Sequence, residues 1–319
     1  MFASAVLAAF VFISPAAEKP ADREAAAAFT KTFVNAKAVK SVRAEVTSLG
    51  AFSFCVNASP VGEDGYLKPG FTHATKRRHS FSYDLTSVWK LAEGAENSVG
   101  AFVATSWWND YIGSRREAPV AFALEITLVY EDGTTAKLAT DTTWNASYDT
   151  PFRSASIYGG EWYDARVSRC PRVCAGEGKA VVCTDFTGVV SPMEGPAIQL
   201  RFDLALKADK ADFTVKPGEK VVVDFGQNCA AIPEFVATAK SGVKLTIRPA
   251  EMLNDAAGEG QHGNDGPPGS VYRTNLRQLK DGAAWVNYVF KGEGEESYRP
   301  TFSFFGYRYA ELTADGEVA

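Results

Sequence analysis

Histidine is nearly missing from this 319-residue chain. Only His73, His79 and His262 occur, too far apart to share a metal ion, and each reads as a surface or loop residue. There is no phosphate-cradling glycine loop and no Gly-x-Ser-x-Gly elbow, so nucleotide chemistry and serine hydrolysis have no local basis. Basic residues do not dominate either. With 33 Lys and Arg against 38 Asp and Glu, the formal charge is -5, and neither nucleic acid nor an anionic membrane is expected as a partner. No repeat of solenoid period is present. The five cysteines fit no zinc spacing, and their odd number leaves at least one thiol free in a monomer. Cys170, Cys174 and Cys183 lie close in sequence. If the chain is exported, a disulfide from Cys183 to Cys170 or Cys174 suits them; buried reduced thiols suit them equally.

Long apolar runs are also few. Residues 1–16 carry no charged side chain and end in Ser14-Pro15-Ala16, a small-x-small cleavage pattern, so they read as a signal peptide and predict export to the periplasm or beyond. The competing reading is an apolar N-terminal strand or a misassigned start. No other stretch approaches the length of a transmembrane helix.

What is abundant is alternation. Val42, Ala44 and Val46 alternate with polar neighbours, as do Phe52, Phe54 and Val56, then Phe81, Tyr83 and Leu85, then Leu124, Ile126, Leu128 and Tyr130 running into the Asp132-Gly133 turn. The second half repeats the pattern at Ile198, Leu200, Phe202 and Leu204, in the apolar run 221–225, and at Val243, Leu245 and Ile247. Short strands between Gly and Pro turns, without intervening amphipathic helices, predict an all-β protein of antiparallel sandwiches. The length predicts two of them. After residues 1–16, an alanine-rich linker or short helix is expected over 17–28, one sandwich over 29–176 and a second over 177–319. The boundary follows Tyr158-Gly159-Gly160-Glu161-Trp162-Tyr163-Asp164-Ala165-Arg166, whose dense mixture of aromatics and charges suggests a loop pinned at a seam between domains. A Gly-, Asp-, Asn- and Pro-rich insertion over 254–270 reads as a functional or mobile surface loop.

Glu161 and Asp164 could form an acid/base pair, but hydrogen bonds to backbone amides, or ion pairs with Arg166 or Arg153 at the seam, are the stronger reading. Glu251 could project into a cleft, or join its domain to a further one; the second is favoured. No catalytic residue is assigned. Sugar binding has better material, because Trp107, Trp108, Asn109, Asp110 and Tyr111 combine aromatic faces with planar polar groups. Their competing role is core packing and inter-domain contact.

Asp224-Phe225-Gly226-Gln227-Asn228, Pro249-Ala250-Glu251-Met252-Leu253-Asn254, Arg299-Pro300-Thr301-Phe302 and Phe305-Gly306-Tyr307-Arg308-Tyr309 resemble, in order and spacing, the signatures of bacterial α-L-rhamnosidases, glycoside hydrolase family seventy-eight. In the first half Leu49-Gly50, Val56-Asn57, Val61-Gly62, Pro69-Gly70-Phe71-Thr72, Tyr83-Asp84-Leu85-Thr86, Asp132-Gly133, Asp141 with Trp144, and Gly160 to Arg166 are similar to that family's N-terminal β domain. The resemblance covers about residues 29–312. It implies a jelly-roll-like sandwich, then a concanavalin-like sandwich, then an (α/α)6 barrel carrying the acid and base of an inverting hydrolysis. The chain ends at Ala319, where that barrel is expected to begin, so the resemblance is to the non-catalytic N-terminal portion of an enzyme acting on terminal α-L-rhamnosides. The alternative is a stand-alone module recognising rhamnose-containing glycans. Some family members bind rhamnose through such a domain with calcium, for which Asn109 and Asp110 are the ligand candidates here. Two departures stand out: Ala58 follows Asn57 where glycine is common, and Ser106-Trp107-Trp108 replaces a glycine-tryptophan pair.

Overall fold

The computed structural model describes residues 10–63, 65–111, 114–115, 118–206, 212–255, 264–274 and 284–319, with backbone only for Asp110, Tyr111, Ser114 and Arg115. Nearly all regular structure is strand, in two compact units, and the second is of the concanavalin-like type. Each unit is interrupted by the other. The first is Met1–Thr150 with Arg169–Leu200, the second Pro151–Ser168 with Arg201–Ala319.

In the first unit one sheet runs Ala180–Val182, Ile13–Pro15, Ala121–Tyr130, Val39–Leu49, Arg77–Asp84, Val189–Pro192, with Thr135–Ala139 also paired to Ala121–Tyr130. The other runs Asn145–Ser147, Ala27–Val34, Glu96–Ala104, Ala51–Val56, Ser59–Val61. The predicted alternation sets the faces: Val42, Ala44 and Val46 are buried while Arg43 between them is exposed. Phe29 stacks on Phe122 at 5.7 Å and Phe122 meets Trp144 at 5.9 Å in the core between the sheets. The Asp132-Gly133 turn forms as expected, with Gly133 at φ 80° and its N–H donating to Tyr130 O at 3.0 Å.

Several expectations change. The alanine-rich stretch is no helix: Ala25 to Ala28 are buried, and Ala27 and Ala28 open a strand paired to Val103 and Phe102. Packing of small side chains against the sandwich outweighs their helix propensity. The tail of the predicted signal peptide is also a strand, with Ile13 fully buried between Phe122 and Val182. Ile198, Leu200 and Phe202 form no strand; Ile198 makes a single bridge to Tyr66, and Phe202 is 68% exposed. Alternation needs a neighbouring strand, and among the described residues this stretch has only the one bridge.

The second unit is built on a six-stranded sheet in the order Phe152–Ser156, Gly160–Asp164, Trp285–Val289, Lys244–Ala250, Phe305–Ala314, Val221–Ala231. By its internal contacts the chain passes between the two units after Thr150, Ser168 and Leu200. The strand Gly160–Asp164 pairs parallel with Trp285–Val289, far along the chain, while Ala180–Val182 and Val189–Pro192 add edges to the first unit. Gly160 makes the parallel pairing possible. It sits at φ 77°, and a Cβ there would lie 2.0 Å from Trp285 O. Parallel pairs also make the sheets mixed rather than purely antiparallel. Tyr163, Tyr288, Tyr298, Phe235 and Phe290 form an aromatic core, with Tyr163 and Tyr298 centroids 4.6 Å apart.

Candidate functional site

The strand Glu96–Ala104 is followed by a single helical turn, Ser106–Asn109, which holds Trp107, Trp108 and Asn109 of the predicted sugar-binding residues, while Asp110 and Tyr111 continue into a short strand. The structure separates their roles. Trp108 is fully buried, with Nε1 donating to Pro119 O at 2.9 Å and the Arg78 guanidinium 4.7 Å from its ring centroid. Its faces are covered, so it belongs to the core rather than to a stacking platform. Trp107 is half-exposed and meets Phe71 edge-on at 6.0 Å, and Phe71 is 48% exposed. Beneath lies a polar layer. Arg78, 2% exposed, donates to Thr72 Oγ1 at 3.3 Å. Asn109 is 4% exposed, and neither atom of its amide has a hydrogen-bond partner; the buried Ser106 hydroxyl has none either, at a residue with φ 44°. Orphaned buried polar groups are uncommon in folded proteins, and each calls for an explanation. Phe71 and Thr72 lie in a motif that carried the family resemblance, and Ser106 in the stretch that departs from it, whereas Arg78 had no local signal.

The side chains of Asp110 and Tyr111 lie outside the described residues, as does His262. His73 is exposed, as expected, while His79 lies half-buried within the strand Arg77–Asp84 rather than at a loop. Calcium takes about six to eight oxygen ligands. Of the described side chains proposed to hold it, only the Asn109 carbonyl is available, and no group of three or more His, Cys, Asp or Glu among the described residues is placed to hold a metal. The described donors do not fit a calcium site.

Glu161 and Asp164 do not form a pair. Three residues apart on one strand, they point to opposite faces. Glu161, 1% exposed, accepts from the Tyr298 hydroxyl and from the backbone N–H groups of Thr301 and Phe302, both at 2.8 Å. Asp164 is clamped by Arg166 through two bonds of 2.9 and 2.8 Å, and these hold its carboxyl below the usual range despite partial burial. These bonds all lie inside the second unit, where an inter-domain seam was expected.

The same holds for the other signatures. Asp224 pairs bidentately with Arg308, both bonds at 2.8 Å, and accepts from Gly226 N–H at 2.7 Å. Asn228 Nδ2 donates to Glu251 Oε1 at 3.2 Å, and a Cβ on Gly306 would reach that oxygen at 3.4 Å. Glu251, expected to face a further domain, is thus bonded within its own unit. Each motif of the second half is tied to another one distant in sequence: Gly160–Arg166 to Arg299–Phe302 through Glu161, and Asp224–Asn228 to both remaining motifs. Of the described interactions, these are staples of the fold, and none leaves a carboxylate poised for proton transfer.

Arg248, Glu311 and Trp285 form one further layered group. Arg248 donates to Glu311 Oε1 at 2.7 Å and lies 4.5 Å over the Trp285 ring. Arg273 nearby has its pKa lowered to about 10 by burial and by the charge of Arg248.

Residues 37–176 match the model of the alpha-L-rhamnosidase N-terminal domain and residues 214–318 that of the bacterial alpha-L-rhamnosidase concanavalin-like domain. Curated relatives include an alpha-L-rhamnosidase of Streptomyces avermitilis, 32% identical over 87% of this chain, and one of Formosa agariphila, 30% identical over 89%. The chain spans 26% and 29% of their lengths. Among solved structures, the S. avermitilis alpha-L-rhamnosidase complexed with L-rhamnose superposes with a TM-score of 0.74 at 26% identity, covering 92% of this chain and 28% of the other. The Aspergillus terreus enzyme shares the fold at a TM-score of 0.75 and 21% identity, over 97% of this chain and 35% of that one. With both domain models matched in order, the chain belongs to the bacterial α-L-rhamnosidase family, as its N-terminal and concanavalin-like portion.

Proposed function

We propose that this chain is the non-catalytic β portion of an exported α-L-rhamnosidase-type glycoside hydrolase acting on terminal α-L-rhamnosides, working with a helical (α/α)6 barrel that supplies the acid and base of an inverting hydrolysis. The observation that carries this reading is the state of Glu161: its carboxylate is sealed and its oxygens are taken by Tyr298, Thr301 and Phe302. Inverting hydrolysis needs two carboxyl groups facing one cleft with room for water between them. Glu161 and Asp164 face apart, and Glu251 is bound by Asn228.

A second reading rests on a different observation. The unpartnered amide of Asn109 and hydroxyl of Ser106, beside the open Phe71 and Trp107 rings, suit a sugar whose C–H face stacks on an aromatic and whose hydroxyls meet planar polar groups. Under it, the first unit binds rhamnose-containing glycans.

Hydrolysis of an aryl α-L-rhamnoside by the purified chain, run beside calorimetric titration with L-rhamnose with and without calcium, separates these readings. Absence of turnover is expected. Turnover abolished by Glu161→Gln or Glu251→Gln would overturn the first reading; saturable rhamnose binding lost in Trp107→Ala would establish the second. N-terminal sequencing of secreted protein tests export. Cleavage after Ala16 would remove the strand Ile13–Pro15 from the sheet it belongs to.

A further inference from the structure

On the outer face of the five-stranded sheet of the first unit lies a cavity of about 700 Å3, lined by Cys55 and Cys170 together with Phe54, Phe102, Lys90 and Arg169. Its volume is in the range that admits a small molecule. Cys55 sits on the strand Ala51–Val56 directly opposite Gly100. Cys170 immediately precedes the short helix Pro171–Ala175, which crosses the neighbouring strand. Gly100 shows how closely the two segments meet. A Cβ on it would fall 2.8 Å from Pro171 Cβ and 3.3 Å from Cys55 Sγ, so the Cys55 sulfur and the residue next to Cys170 press on the same bare patch of backbone. Both thiols are half-buried, and both are in the reduced form.

We propose that Cys55 and Cys170 are a reversible dithiol–disulfide pair that ties the helix Pro171–Ala175 to the sheet across this cavity. No spacing rule suggests it, because residues 55 and 170 are far apart in the chain. The neighbours favoured by sequence are differently placed: Cys183 Sγ contacts Asp185 Oδ2 at 3.3 Å in a separate apolar cluster with Phe12 and Trp108.

The chemistry follows from burial. Burial, reinforced by the nearby Cys170, pushes the Cys55 thiol up to about 11, so it stays protonated at neutral pH. Cys170 is then the thiol that attacks. With oxidised glutathione as oxidant, its thiolate displaces one glutathione thiolate and leaves a mixed disulfide in the cavity. Cys55, losing its proton to solvent base, attacks Cys170 Sγ and expels the second glutathione. Two protein thiols are oxidised, one glutathione disulfide is reduced to two thiols, and two protons pass to the released glutathione.

The test is to equilibrate the full chain over a series of oxidised-to-reduced glutathione ratios, quench with N-ethylmaleimide and map the peptides without reduction. The expected result is one cross-linked peptide joining Cys55 to Cys170, with the thiol titre falling by two from the five present. A rise in Tm of roughly 5 °C or more should accompany it, because the bond closes a long loop. Cys55→Ser and Cys170→Ser should each abolish both changes, and Cys174→Ser should leave them. A cross-link from Cys170 to Cys174 or Cys183, glutathione adducts without a cross-link, or an unchanged titre at the most oxidising ratio would each overturn the proposal. The mapping on the unsubstituted chain decides the matter even if a Cys55 variant fails to fold.

Discussion

Glu161 and Asn109 are both polar side chains closed off from solvent, at 1% and 4% exposure, but they are opposites in what they touch. The carboxylate of Glu161 meets three donors from the segment 298–302, whereas the amide of Asn109 meets none. A buried charge that is fully paired has no capacity left for a substrate. A buried amide without partners has all of its capacity left. The comparison assigns stability to the second unit's motif, and under the carbohydrate-binding reading proposed above it leaves ligand chemistry to the first unit's helical turn, although in sequence the charged motif is the more conspicuous.

The largest effect should come from removing the paired group. Glu161→Ala would strand the Tyr298 hydroxyl and two backbone N–H groups in the interior, and we expect a loss of about 3–5 kcal/mol, read as a lower urea midpoint. If the loss stayed below about 1 kcal/mol, the staple would be incidental. Next in size is the contrast between adjacent tryptophans. Trp108→Ala should cost about 3–5 kcal/mol by opening a cavity under Arg78. Trp107→Ala, at a half-exposed position, should cost about 1 kcal/mol or less and act instead on rhamnose titration. Equal costs would mean that both rings serve the core.

How far the sequence carried this picture depended on what kind of order was at stake. Period-two alternation is local, and it located the strands around Val42, Phe52, Leu124 and Leu245 and their buried faces. Pairing is not local. Nothing beside Gly160 announces a parallel strand at Trp285, and the same alternation at Ile198, Leu200 and Phe202 gained a single bridge, to Tyr66, and stayed exposed. The alanines at 25–28 read as helix because propensity is intrinsic, while their burial depends on a sandwich assembled from distant segments. At the candidate site, the aromatic-polar cluster at 107–111 was visible as composition. That Trp108 turns inward, and that Phe71 and Arg78 join from another strand and loop, is set by tertiary packing alone.

Asn109 sharpens the comparison from the other side, because a substitution there should stabilise. Replacing the amide by the similarly sized Asn109→Leu removes two desolvated polar atoms that gain nothing in return. The expected gain is about 1 kcal/mol in thermal unfolding without ligand. The same variant should lose any rhamnose binding. Destabilisation by a similar amount would instead show that the amide is satisfied in solution by a buried water, and the ligand reading would lose its main support.

The smallest effect concerns Asp164, the other carboxylate of the Gly160–Arg166 motif. Hydrogen bonding to Arg166 depresses its pKa below the ordinary 3.8, so in the unfolded chain it binds a proton at a higher pH than in the folded one. The pair's contribution is therefore complete above the unfolded value and fades as pH falls through the folded one. Arg166 is half-exposed, which screens the interaction further. Asp164→Asn should leave the urea midpoint at pH 7 little changed while flattening the loss of stability below about pH 4. A large drop at neutral pH would place Asp164 in the same class as Glu161. An unaltered acid limb would show that its bond to Arg166 contributes nothing that titration can read.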